Sequence, residues 1–265
     1  MKKVVFMLVT AAIIIVYPLC SMIAVSVSGK KASCDTQNGV SVVEKLDEQS
    51  VDKAQAQINQ TIEKRKTDAT SAEVQKAIDK SIKQIKSGQK SYRQVFNNVY
   101  FMGDSLMDGL RVYGVLNPSR LITQVSAGLS HLEQNMNSII SARPPVLILH
   151  YGLNSISTSD AQLESFISRY TTDIKKLKKA LPQTRIIVSL LFPIDTSKAT
   201  APRFKAVGKY NTAMIKMCKK LSVEYLDSTE VVKANKQYNA KDGIHYSKSF
   251  YGNWLEFIMK NKGIY

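Results

Sequence analysis

From residue 94 to residue 265, short apolar runs alternate with longer amphipathic segments. The apolar runs have the length of buried strands and read NVYFMGD, RLITQVS, PPVLILHYG, TRIIVSLLF and VEYLD. Apolar residues at intervals of three and four predict helices over 105–112, 130–141, 160–180, 204–221 and 249–261. Strands separated by helices of this length pair in parallel, with right-handed crossovers. We therefore expect an α/β chain folded as a three-layer α/β/α sandwich.

Polar residues follow the predicted strands at four places. Asp104 and Ser105 follow the first strand, SAGLS (126–130) the second, and YGLNS (151–155) the third. DGIHYS (242–247) comes after the last strand and before the last helix. Because an open parallel sheet binds its ligands beyond the carboxyl ends of the strands, we expect these four segments to converge on one site.

The residue types in these segments are those that acyl transfer requires. Ser105 can act as a nucleophile if a base takes its proton, and His245 can supply that base. Asp242, three residues earlier, can hold the second ring nitrogen and stabilise the imidazolium. The oxyanion of the tetrahedral intermediate needs hydrogen-bond donors, for which the backbone N–H groups of Ser105 and Gly128 and the Asn154 amide are candidates.

In this order, the four segments resemble the sequence blocks of the SGNH (GDSL) hydrolase superfamily of serine esterases, lipases and O-acyltransferases. The matching residues are GDSL (103–106), Gly128, GLN (152–154) and DGIH (242–245). The resemblance implies a flavodoxin-like parallel sheet, with Ser105 as nucleophile, His245 as base and Asp242 as its partner. It also implies an oxyanion hole formed by Ser105, Gly128 and Asn154. Members act on acetylated sugars, peptidoglycan, lipids and thioesters.

The net charge and the scarcity of metal-binding residues limit the kinds of partner that the chain can bind. The chain has 37 Lys and Arg against 21 Asp and Glu, a formal net charge of +16. This balance suits an anionic polymer, an anionic lipid surface or a solvated surface, and no zinc-finger or RNP pattern indicates nucleic acid. Three histidines and no H-E-x-x-H motif give a metal little to bind, so we expect neither a metal nor another cofactor. His150 lies within an apolar run, which is typical of a buried structural histidine. The adjacent Ser130 and His131 are typical of the start of a helix.

The region before residue 94 divides at a change of composition. Residues 1–28 contain an uncharged, mostly apolar stretch between two pairs of lysines, long enough to span a bilayer. It predicts an uncleaved transmembrane anchor, with a cleavable signal peptide as the alternative. Residues 29–93 are polar with a narrow apolar helical stripe, which predicts a helical stalk, able to self-associate, or a flexible linker. Residues 94–265 are then the SGNH hydrolase domain, outside the cell.

These observations favour an exported serine esterase that removes acetyl or short acyl groups from cell-surface carbohydrate through an acyl-Ser105 intermediate. The expected partners are an acylated glycan or small ester and, through the amino-terminal helix, a membrane. An O-acyltransferase that passes the acyl group to a sugar hydroxyl is the alternative. A non-catalytic surface scaffold acting through the stalk is a further alternative, against which the Ser, His and Asp set counts.

Overall fold

A single parallel sheet of five strands forms the centre of the molecule. The structure, a computed structural model, describes residues 71–235 and 240–265. The strands are β1 (Val99–Gly103), β2 (Leu121–Thr123), β3 (Val146–His150), β4 (Arg185–Ser189) and β5 (Glu224–Leu226), in the spatial order β2-β1-β3-β4-β5. All four neighbouring pairs are parallel. This is the strand order of flavodoxin-like folds, and the predicted parallel α/β sheet is confirmed.

Helices pack on both faces of the sheet. They are α1 (71–86), α2 (Tyr92–Val95), α3 (Ser105–Val112), α4 (Leu129–Gln134), α5 (Met136–Ala142), α6 (Asp160–Ala180), α7 (Val207–Leu221), α8 (Thr229–Ala234) and α9 (Lys248–Lys262). Contacts join α4 and α5 to α6, and α6 to α7, while α9 contacts α3 and α8. The two groups of helices cover strands whose side chains are buried almost throughout, as a parallel sheet requires.

Two helices depart from the sequence prediction. The helix predicted over 130–141 is two helices, α4 and α5, which meet at Asn135. The Asn135 side chain donates a hydrogen bond to the His131 carbonyl oxygen at 2.8 Å, an alternative to continued helix that asparagine readily takes. Helix α8 falls in 228–241, a segment for which the sequence predicts neither a helix nor a strand.

Residues 71–86, which the sequence analysis placed in the stalk, form a helix that packs on the main body. Ile78 and Ile82 of α1 are buried with the hydrophobic core. Lys86 pairs with Glu256 of α9 at 3.3 Å. Contacts group Thr67–Tyr265 as one compact unit. The domain boundary at residue 94 stays a prediction.

The predicted membrane location is contradicted. Within residues 71–235 and 240–265, no helix is long and apolar enough to cross a membrane. Even α6, with 21 residues, carries charged side chains along its exposed side. The anchor predicted over residues 1–28 and the first part of the stalk, 29–70, lie outside the described residues. No described helix supports the single-pass location that the sequence predicts.

Candidate active site

Ser105 stands where the end of β1 meets the start of α3. It is the first residue of α3 and is half-buried. Asp104 caps this helix, and its Oδ1 accepts a hydrogen bond from the Leu106 N–H at 3.0 Å. A glycine at 103 lets β1 approach β3, because a Cβ there would lie 2.6 Å from the His150 carbonyl oxygen. The backbone N–H of Ser105, at the helix N-terminus, has no intrahelical acceptor and is free to bind an anion.

His245 lies at the end of a tight turn that begins at Asp242. The Asp242 Oδ1 accepts hydrogen bonds from the N–H groups of Ile244 (2.9 Å) and His245 (3.0 Å). Gly243 has a φ of +75°, and its carbonyl oxygen accepts a hydrogen bond from the Asp195 N–H at 3.0 Å. A Cβ at 243 would lie 2.6 Å from the Asp195 carbonyl oxygen. The turn therefore needs glycine both for its backbone conformation and for this close approach.

The structure brings three of the predicted site residues into one hydrogen-bonded chain. His245 Nε2 lies 2.9 Å from Ser105 Oγ, although 140 residues separate the two in sequence. His245 Nδ1 lies 2.6 Å from Asp242 Oδ2. With the carboxylate facing Nδ1, that nitrogen carries the proton and Nε2 is left to accept the Ser105 proton. The side chains of His245 and Asp242 are 43% and 47% exposed, so this chain of groups opens directly to solvent.

Asp242 is held in its ionised form. Its partial burial raises the pKa, but hydrogen bonds from the His245 ring and from the N–H groups of His245 and Ile244 outweigh burial and lower the pKa to about 2. At neutral pH the group is therefore a carboxylate, which is the form that stabilises an imidazolium at His245.

Asp104 lies in the opposite environment. It is completely buried, and burial raises its pKa to about 7, offset in part by the Leu106 N–H and the charge of His245. Its Oδ2 makes no hydrogen bond to any part of the chain that the structure describes. The sequence places Asp104 directly after the first strand, but it carries no sign that the second carboxylate oxygen is buried beside the nucleophile.

The predicted oxyanion donors occupy the ends of the strands on either side of β1. Gly128 is the N-cap of α4, after β2, and Asn154 lies in the short 3₁₀ turn after β3. The Asn154 side-chain amide donates to the Ala127 carbonyl oxygen at 3.0 Å, which ties the two segments together. That bond uses one of the two amide hydrogens, so the other is free to bind a ligand. Because β1 lies between β2 and β3, the end of β1 with Ser105 lies between these donors.

The other two histidines have structural surroundings. His131 is buried, its Nδ1 lies 2.8 Å from the Tyr151 hydroxyl, and burial lowers its pKa. His150 is buried at the end of β3, its Nδ1 lies 3.1 Å from Ser189 Oγ, and burial lowers its pKa to about 3. Within the described ranges, no group of three or more His, Cys, Asp or Glu side chains has the arrangement of a metal site.

The family of the chain follows from its sequence. A sequence model of the GDSL-like lipase/acylhydrolase family matches residues 101–252, from β1 into α9. The chain belongs to this family and is an ester hydrolase. No curated protein sequence matches it.

Solved structures share the fold at low identity. A Bacteroides fragilis protein described as an acylhydrolase is 14% identical, with a TM-score of 0.50 over 62% of this chain and 86% of the other. A Parabacteroides merdae protein described as a GDSL-like lipase is 15% identical, with a TM-score of 0.48 over 62% and 94%. An acetylxylan esterase from Geobacillus stearothermophilus is 13% identical, with a TM-score of 0.46 over 61% and 92%. This likeness concerns the fold alone.

Proposed function

We propose that the chain hydrolyses acetyl or other short acyl esters of carbohydrate through an acyl-Ser105 intermediate. Ser105 Oγ attacks the ester carbonyl carbon while His245 Nε2 takes the hydroxyl proton, and the carbonyl electron pair moves to oxygen. Collapse of this tetrahedral intermediate breaks the ester bond, and His245 returns the proton to the leaving alcohol. Water then attacks the acyl-serine with His245 again as base, releasing the acid and free Ser105.

One observation carries this proposal: His245 contacts Ser105 through one ring nitrogen and Asp242 through the other. A base that accepts a proton from serine gains a positive charge, and a carboxylate on the far nitrogen offsets it. The low pKa of Asp242 supports this role, since the group is charged throughout the neutral range. Among the residues that the structure describes, neither His131 nor His150 has such a pair of contacts.

The backbone N–H groups of Ser105 and Gly128 and the Asn154 amide are the proposed oxyanion donors. The first lies at a helix N-terminus, where the helix dipole also favours negative charge. Gly128 has no side chain to obstruct the approach of a substrate, and a Cβ there would have only Ser155 Oγ, at 3.7 Å, within contact distance. One donor of this kind contributes roughly 10²–10³ to kcat.

Hydrolysis is favoured over acyl transfer by the exposure of the proposed catalytic groups. An acyltransferase must keep water from its acyl-enzyme, which requires a site closed to solvent. Here nearly half of the His245 and Asp242 side chains is exposed, so water reaches the position from which it would attack the acyl-serine.

The test compares two serines. Ser105→Ala should lower kcat for p-nitrophenyl acetate by about 10³–10⁶, because triad members act as a unit. Ser130→Ala is the matched control: Ser130 also lies near a helix start and directly precedes a histidine, but its side chain is exposed, whereas the serine in contact with His245 Nε2 is Ser105. It should retain activity. Thermal unfolding should be alike in both variants and the wild type. Full activity in Ser105→Ala would overturn the proposal.

The fate of the acyl group is measured separately. Wild-type protein given p-nitrophenyl acetate and a mixture of neutral oligosaccharides should release acetate and leave the oligosaccharides unmodified by mass spectrometry. Acetylated oligosaccharide that forms only when Ser105 is present would replace hydrolysis by transfer.

A further inference from the structure

A cleft of about 330 Å³ adjoins Asn154 and extends along the first two turns of α6. We name it the α6 cleft. Its lining residues include Asn154, Gln162, Ser165, Phe166 and Arg169. Its volume lies at the lower end of the range for small-ligand sites, about 300–1,000 Å³. Because it includes the proposed oxyanion donor Asn154, a group bound in the cleft would be close to the reacting ester.

The floor of the cleft is an aromatic ring held in a fixed position. Phe166 is 5% exposed, and its ring packs against Tyr170 and Tyr210 with centroid distances of 5.6 and 5.5 Å. The Tyr210 hydroxyl donates to the Ser155 carbonyl oxygen at 2.8 Å, which also fixes the segment that follows Asn154. The apolar floor and the polar segment beside it are thus parts of one packed unit.

The rim of the cleft is polar. Gln162, Ser165 and Arg169 are separated by three and four residues, so they lie on one face of α6. The Gln162 and Ser165 side chains make no hydrogen bond within the described part of the chain. Arg169 Nη2 pairs with Glu133 Oε1 of α4 at 2.9 Å, which offsets its charge and leaves other guanidinium donors available. The rim therefore offers hydrogen bonds of both senses without a net charge.

We propose that the α6 cleft binds a neutral sugar unit of the acylated substrate, with hydroxyl groups bonded to Gln162, Ser165 and Arg169 above Phe166. This inference rests on the proposed function. A sugar presents C–H groups to an apolar floor and hydroxyls to a polar rim, which matches the two sides of the cleft. A long acyl chain would bury the Gln162 amide and the Ser165 hydroxyl without hydrogen-bond partners, which is unfavourable. An anionic unit would face Glu133 beside Arg169.

The experiment compares two substrates across one set of variants of the full chain. Gln162→Ala and Arg169→Ala should each lower kcat/KM for partially acetylated xylotetraose about 3- to 10-fold, mainly through KM, because each loses one or two hydrogen bonds to the sugar. The same variants should hydrolyse p-nitrophenyl acetate, which has no sugar, within twofold of the wild type. Glu164→Ala is the matched control, since Glu164 is exposed on α6 and does not line the cleft. It should change neither substrate.

Four outcomes would overturn the subsite. The first is an equal loss of kcat/KM on both substrates, and the second is no loss on either. The third is a wild-type protein that hydrolyses p-nitrophenyl acetate but not acetylated xylotetraose. The fourth is a selective loss of kcat/KM on a third substrate, p-nitrophenyl decanoate, which would assign the cleft to an acyl chain. In each of these the Ser105-dependent hydrolysis of p-nitrophenyl acetate survives, although the third outcome also counts against acetylated xylan fragments as substrates. Failure of the proposed function would be recognised by a different result, namely full activity of Ser105→Ala on p-nitrophenyl acetate.

Discussion

The turn that carries Ser105 and the turn that carries His245 meet through one hydrogen bond, but they are built in different ways. Asp104, beside the nucleophile, is 0% exposed, and burial raises its pKa to about 7. Asp242, beside the histidine, has a side chain that is 47% exposed and a pKa lowered to about 2. Two aspartates that each lie next to a reacting residue therefore have pKa values displaced in opposite directions.

This difference shows what positions each reacting group. Ser105 follows a strand buried in the sheet and begins a helix anchored to α9, where the Tyr251 hydroxyl donates to the Leu106 carbonyl oxygen at 2.8 Å. His245 instead depends on hydrogen bonds within its own turn and on the contact of Gly243 with Asp195. The nucleophile is positioned by packing and the base by local polar contacts.

Asp242→Asn should lower kcat for p-nitrophenyl acetate by about 10²–10⁴, because an amide cannot stabilise the imidazolium as a carboxylate does. Asp195→Asn serves as the control. Asp195 also has a lowered pKa, but its side chain bonds only Ser197 and Lys198, so kcat should stay within threefold. Equal losses in the two variants would indicate a general effect of surface charge.

Two glycine variants should separate position from stability. Gly243→Ala meets the Asp195 carbonyl oxygen and strains a backbone with a φ of +75°, so it should displace the turn, lowering kcat about 10- to 100-fold and the free energy of unfolding by about 1 kcal/mol. Gly103→Ala places a Cβ against the His150 carbonyl oxygen and the Met107 side chain in the core. It should lower the free energy of unfolding by about 1–3 kcal/mol. If Gly243→Ala proved the more destabilising of the two, the contrast between the turns would be wrong.

Asp104→Asn should change how stability depends on pH. Below about pH 4 the wild-type carboxyl is protonated in both the folded and the unfolded state, and it adds no cost. Between about pH 4 and the folded-state pKa of about 7, the carboxyl ionises only in the unfolded state. The wild type therefore loses up to about 4 kcal/mol of its free energy of unfolding over this range, and the loss persists at higher pH. Asparagine retains helix capping and lacks this loss. Denaturant unfolding at pH 4 and pH 8 should show the variant gaining relative to the wild type at pH 8.

Asp242, the exposed aspartate, should show the reverse dependence of stability on pH. The folded-state pKa of Asp242 lies below its unfolded value, so its contribution to stability is present above about pH 4 and is lost as the pH falls toward 2. Asp242→Asn should therefore be slightly less stable than the wild type at neutral pH and equal to it near pH 2. A variant with the same pH dependence as Asp104→Asn would contradict the difference between the two sites.

Ile78→Ala should leave kcat unchanged while it destabilises the fold. Ile78 is buried between α1 and the main body, and truncation of such a side chain costs about 2–5 kcal/mol. Lys83→Ala, exposed on the same helix, should cost less than about 0.5 kcal/mol. Chemical denaturation monitored by tryptophan fluorescence provides the measurement. Equal stability in the two variants would show that α1 is a separate stalk, as the sequence alone predicts.

Much of the fold could be read from local patterns. The five apolar runs and the amphipathic periodicity predicted the parallel sheet, because strand and helix formation follow from spacings of a few residues. The role of α1 was missed because its apolar stripe is narrow, and the burial of Ile78 depends on core residues that lie far along the chain. The break at Asn135 was missed because neither proline nor glycine marks it in the sequence.

Of the candidate site, the sequence by itself determined the residue types, their order and their placement after strands, and it distinguished His245 from His150 by the apolar run around the latter. Only the tertiary structure decided that His245 contacts Ser105 across 140 residues, that Asp104 is buried while Asp242 is exposed, and that Gln162, Ser165 and Arg169 line a cleft beside Asn154. The physical reason is that burial and pKa depend on which distant segments exclude water from a group. Local periodicity carries no information about those segments.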